Sequence, residues 1–67
     1  MRLLILSTTK DGEIVFQAGK YQYRVWLDAA HIPFIKKWMY RKPGMIMNFM
    51  KRKGTIERYD PKGKTTE

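Results

Sequence analysis

The side chains best suited to acid–base or nucleophilic work are few: His31, the single histidine; Ser7, the single serine; and Asp28, three residues before His31. Nucleophilic catalysis needs a base within hydrogen-bond reach of the nucleophile and a third group to orient that base. The Asp28–His31 spacing is the ordinary contact of a helix start, and nothing ties Ser7 to it, so the expectation is a protein that is not an enzyme. A lone histidine without cysteine lacks the ligands of a zinc site, and no cofactor is expected.

Binding of anions is better provided for. Fourteen Lys and Arg stand against six Asp and Glu, a formal net charge of +8. Between Ala29 and Ile56 there is no acidic residue, while Lys36, Lys37, Arg41, Lys42, Lys51, Arg52 and Lys53 all fall there. The rest of the chain is nearly neutral. A one-sided field of this kind attracts polyanions and speeds their encounter. Lys36, Lys37, Arg41 and Lys42 flank Tyr40, which offers a ring for base stacking beside cations that neutralise phosphates. The plainer alternative is the solvated face of an amphipathic helix. Its all-basic character counts against that, because exposed faces usually intersperse Glu with Lys to gain i,i+4 pairs.

Three further groups invite the same question. Arg24 and Trp26, with Gln22, fall on one face of a strand, as in single-strand binders that present stacking platforms, although a tryptophan more often packs against a helix or a neighbouring chain. Lys51-Arg52-Lys53-Gly54 reads as a basic turn that adds to the field; such turns also keep hairpins soluble. Met45, Met47 and Met50 with Ile46 and Phe49 are core filler or, alternatively, an adaptable protein-binding surface.

The elements that must position these groups are legible in part. Leu3 to Thr8 reads as a strand, apolar on both faces and therefore central in its sheet. Asp11-Gly12 makes a turn into Glu13 to Gln17, with Ile14 and Phe16 on one face. A second turn, Ala18-Gly19-Lys20, leads to Tyr21 to Leu27, with Tyr21, Tyr23, Val25 and Leu27 inward and Gln22, Arg24 and Trp26 outward. Asp28 is a candidate cap, but Pro33 suits a first helical position, so the helix is expected from near Ile32 to just before Pro43-Gly44. Ile32, Phe34, Ile35, Trp38 and Met39 share its apolar arc. Residues 45–50 fit either a strand, in a hairpin with Thr55 to Tyr59, or a second helix stopped by Gly54; the β-branched Thr55 and Ile56 tilt the reading to the hairpin.

Sixty-seven residues suffice for one small domain, expected over 1–60, with 61–67 as a flexible tail. The absence of cysteine excludes disulfides and fits a reducing compartment, so the expected location is the cytoplasm. The apolar run at the N-terminus is too short for a signal peptide and no stretch is long enough to span a bilayer, so no integral membrane association is expected. Open sheet edges make a homodimer compatible with this plan.

Phe16-Gln17-Ala18-Gly19-Lys20-Tyr21-Gln22-Tyr23, a helix, and then Lys42-Pro43-Gly44 with Asn48 and Lys51 make the segment from about residue 14 to residue 51 resemble the KTSC domain. That small family is found alone and appended to some lysyl-tRNA synthetases. Spacing departs by a residue on each side, and the cysteine in the family's name is absent. The resemblance implies a two- or three-stranded sheet with one packed helix and a nucleic-acid role, and it supplies no catalytic residues.

The expectation is thus an α+β domain, with a small antiparallel sheet of three to five strands and one amphipathic helix on one face, in the order β-β-β-α-(β-β). Its expected partner is DNA or RNA, held mainly through phosphates by Lys36, Lys37, Tyr40, Arg41, Lys42, Arg24, Trp26, Lys51, Arg52 and Lys53. The alternative is a non-enzymatic interaction or inhibitor module docking on an acidic protein through Trp26, Tyr40 and the methionines.

Overall fold

The computed structural model describes residues 2–59; the expected tail lies outside them. Four strands, β1 (Leu3–Thr8), β2 (Glu13–Ala18), β3 (Tyr21–Trp26) and β4 (Thr55–Tyr59), form one antiparallel sheet in the order β1-β2-β3-β4. Two helices, α1 (Ile32–Trp38) and α2 (Pro43–Lys53), lie between β3 and β4 in sequence. The chain is therefore α+β as expected, but with two helices and a single closing strand where one helix and a hairpin were expected. The sheet also has four strands, more than the KTSC resemblance implies.

The first three strands form a meander through two tight turns. In the first turn Thr9 Oγ1 accepts from the N–H groups of Asp11 and Glu13. Gly12 there has φ +106°, and a Cβ on it would fall 1.9 Å from the Leu27 carbonyl oxygen. Only glycine fits, because the Leu27 N–H donates to the Gly12 carbonyl and draws the two backbones together. Register then sets one face of the sheet: Ile5 opposite Phe16 opposite Tyr23, and Ile14 opposite Val25 opposite Ile56.

The core lies between that face and the helices. Leu3, Ile14, Phe16 and Val25 from the sheet meet Ile32, Ile35 and Met39 from α1 and its cap, and Ile46 and Met50 from α2. No polar side chain is buried among the described residues. Phe16 and Tyr23 stack at 5.6 Å, which carries the core toward the β4 side.

Several expectations need correction. β1 is an edge strand: its apolar character on both faces leaves Leu4 and Leu6 exposed, and the register slips between Ile5 and Ser7 to accommodate an extra residue. Tyr21 does share the core face, in the row of Ala18 and Leu3, but at the end of its strand it stays exposed, with the Arg58 guanidinium 3.9 Å from its ring centroid. Asp28 does cap, but what it caps is a 3₁₀ turn, Ala29–His31, through Oδ1 accepting from the Ala30 N–H; that turn runs straight into α1. α1 itself stops at Trp38, and Phe34 lies partly exposed against Phe49 instead of in the core.

The largest correction concerns Pro43-Gly44. Pro43 occupies the start of α2, where its missing N–H costs nothing because the first turn of a helix has no acceptor for it. Residues 45–50 are therefore helical. Ile46 and Met50, four apart, are fully buried on one face, with Met47 and Phe49 beside them. Gly54 ends α2 in extended backbone and lies so close to β3 that a Cβ would approach the Trp26 carbonyl oxygen to 2.7 Å, so the chain can pair β4 directly against β3.

Candidate nucleic-acid interface

The ten residues expected at the site divide between two opposite faces. Lys36, Lys37, Tyr40, Arg41, Lys42, Lys51, Arg52 and Lys53 belong to the helical layer, and Arg24 and Trp26 to the bare face of the sheet.

On the helical layer the backbone sets the arrangement. The Trp38 carbonyl accepts from the N–H groups of both Arg41 and Lys42, at 3.1 and 2.8 Å, closing a tight turn after α1. The Lys42 carbonyl accepts from the Ile46 N–H and opens α2. Arg41 and Lys42 are thereby held at the junction of the two helices. Burial of Ile32, Ile35 and Met39 turns Lys36 and Lys37 to solvent. Burial of Ile46 and Met50 does the same for Lys51 and Arg52, and Lys53 closes α2. The three cations in the last turn of α2 are not hairpin-turn residues, and they also complement the negative end of its dipole.

All seven of these cations are exposed, and none is in a salt bridge among the described residues. Their sequence neighbourhood explains this, since the segment contains no carboxylate.

The aromatic partner differs from the expected one. Lys37 Nζ lies 5.8 Å and Arg41 Cζ 5.9 Å from the ring of Trp38, which is half-buried between core and solvent. Tyr40, 61% exposed, instead lines an open cleft of about 460 Å³ with Arg2, Leu3, Leu4, Met39 and Pro43. In sequence Trp38 reads as part of the apolar arc; the signal for its second role is Arg41 three residues on, at a spacing that puts it within reach of the ring.

On the other face, Arg24 is a hub. Its Nη2 donates to Glu57 Oε2 at 2.6 Å and its Nε to the same oxygen at 3.0 Å, while Nη1 reaches Glu13 Oε2 at 3.4 Å. The hydrogen bond to Glu57 is the main reason its pKa lies above the ordinary arginine value. The guanidinium also lies 5.8 Å from the Trp26 ring and 5.5 Å from the Tyr59 ring. With two carboxylates against one guanidinium this cluster offers no free positive charge, and Trp26, 45% exposed, packs against no helix. Its geometry sets Arg24 and Trp26 apart from the helical cations.

His31 rests edge-on against Phe49 at 5.1 Å. Among the described residues no cluster of His, Asp and Glu could hold a metal ion, and no helix is long and apolar enough to cross a membrane. Met39, Met47 and Met50 serve packing, whereas Met45 is exposed on α2. No family model, no curated protein and no solved structure matches this chain, so the likeness to the KTSC domain rests on the residues quoted for it.

Proposed function

We propose that this protein is a nucleic-acid-binding module that holds the phosphate backbone with the cations of its helical layer: Lys36, Lys37, Arg41, Lys42, Lys51, Arg52 and Lys53. One observation carries the reading. These seven exposed cations have no carboxylate partner among the described residues. An array of unpartnered like charges on one layer repels itself, and a polyanion relieves that repulsion while releasing its own counterions. Trp38, flanked by Lys37 and Arg41, and the exposed Tyr40 supply rings against which bases stack. Arg24 and Trp26 drop out of the reading, because Arg24 already has two carboxylates and both lie on the far face.

The test is a titration of labelled single- and double-stranded DNA and RNA at two salt concentrations, with heparin as a control. Binding tighter to one nucleic acid than to heparin, and falling steeply with salt, supports the reading. Equal, weak binding to every polyanion contradicts it.

A second reading, docking on a protein, is favoured by a different observation: Leu4, Leu6 and Trp26 stand exposed on the sheet face away from the helices. It makes the opposite demand of mutants. Trp26→Ala then abolishes partner capture, whereas Lys36→Glu/Lys37→Glu leaves it in place.

A further inference from the structure

We propose that α2 enters the major groove of duplex DNA and reads base edges there, with Asn48 and Arg52 as the principal contacts; the inference rests on the nucleic-acid reading above. The observation is the composition of the outward face of α2. At 100° per residue, Lys51, Gly44, Asn48, Arg52 and Met45 fall within an arc of about 120°, and all five are exposed. Ile46 and Met50 occupy the opposite side. An amphipathic helix needs polar residues outward, but it does not need these types. Lys51 and Arg52 carry positive charge, Asn48 is an amide with a donor and an acceptor, and Met45 is apolar yet 42% exposed.

Each type matches a group displayed in the major groove. An amide pairs with the N6 and N7 of adenine, a guanidinium with the O6 and N7 of guanine, and an apolar side chain with the thymine methyl. The scale agrees as well. Eleven helical residues extend about 16 Å, and a helix with side chains is about 10–12 Å across, against a groove about 12 Å wide. Cations sit at both ends of this face, Arg41 and Lys42 before α2 and Lys51 and Arg52 in its last turn, where the phosphates bordering a groove would lie. α1 and α2 follow one another through the short turn closed on the Trp38 carbonyl, the order of elements in a helix-turn-helix unit, whose second helix enters the groove. Duplex RNA does not fit, because its major groove is too deep and narrow for side chains to read.

The experiment has two arms. Fluorescence anisotropy compares the protein on a 20-base-pair DNA duplex, the corresponding single strand and the corresponding RNA duplex. Selection from a pool of randomised DNA duplexes then compares the wild type with Asn48→Ala and Asn48→Gln. Asn48 is exposed, and circular dichroism checks that both variants keep the fold. The inference expects binding to duplex DNA about ten-fold tighter than to the other two, enrichment of a short motif, and loss of preference at one adenine-bearing position in Asn48→Ala. Equal binding to all three polymers, or duplex binding without any enriched motif, overturns it and leaves phosphate binding by the helical layer standing. No binding to any nucleic acid at low salt overturns both.

Discussion

Among single residues, Gly12 and Phe16 are the ones on which the fold most depends. Any side chain at position 12 meets the Leu27 carbonyl and must also adopt a φ that L-residues rarely tolerate. Gly12→Ala is therefore expected to lose several kcal/mol, well above the ~1 kcal/mol typical of point mutants, as read by urea denaturation. Phe16 is fully buried at the centre of the sheet, and removing a buried Phe ring costs about 3–5 kcal/mol. A chain of this length has only about 3–10 kcal/mol in total. Phe16→Ala is accordingly expected to be largely unfolded at 37 °C by circular dichroism. At the surface, the two tryptophans separate the two faces. In Trp26→Phe the remaining Trp38 emission should change on adding nucleic acid, because Lys37 and Arg41 bracket that ring. In Trp38→Phe the remaining Trp26 signal should stay flat. The reverse pattern would move the interface to the sheet.

Among the elements, α2 is the informative one, both for what the sequence disclosed and for what it concealed. The meander was readable because turn residues at Asp11-Gly12 and Gly19 separate runs that alternate, and the alternation survives in Ile14, Phe16, Tyr23 and Val25 facing the core. β4 was readable from Thr55 and Ile56. Pro43-Gly44 was not, because a proline that stops one helix is equally suited to begin the next, and both events occur here within five residues. Residues 45–50 carry no alternation to decide the matter, and only Ile46 and Met50, four apart, signal a buried helical face. β1 misled for a related reason: an apolar run looks the same whether both of its faces are covered or one stands open. Among the interface residues, the cations were visible from the absence of acids alone. The alternation that turns Arg24 outward already set it apart from them, but its neutralisation was not visible, since that depends on Glu57, which lies thirty-three residues away in sequence. α2 also offers a stability test. A Cβ on Gly44 meets nothing within 4 Å, so Gly44→Ala should gain about 0.5–1 kcal/mol in thermal unfolding; a loss would mean that the first turn of α2 is not helical.

For the whole molecule, charge is the governing quantity. The chain carries +8, and its acids are outside the segment that builds the helices, so the sheet side balances its own charge while the helical side does not. Self-repulsion on that layer lowers stability and is screened within about 8–10 Å at moderate salt. Raising NaCl from about 20 to about 500 mM should therefore raise the melting temperature by several degrees, opposite to what a fold held by surface ion pairs would show. A bound polyanion should raise it further through linkage. The same asymmetry leads to the most direct measurement of the central claim, the slope of log K against log salt for duplex DNA. About four phosphate contacts give a slope near −3.6 and roughly a hundred-fold loss of affinity between 50 and 200 mM salt. Such a slope is expected for the wild type and for Trp26→Ala, and a slope shallower by about two for Lys36→Glu/Lys37→Glu. A slope near zero, or one unchanged by replacing both lysines, would contradict the claim.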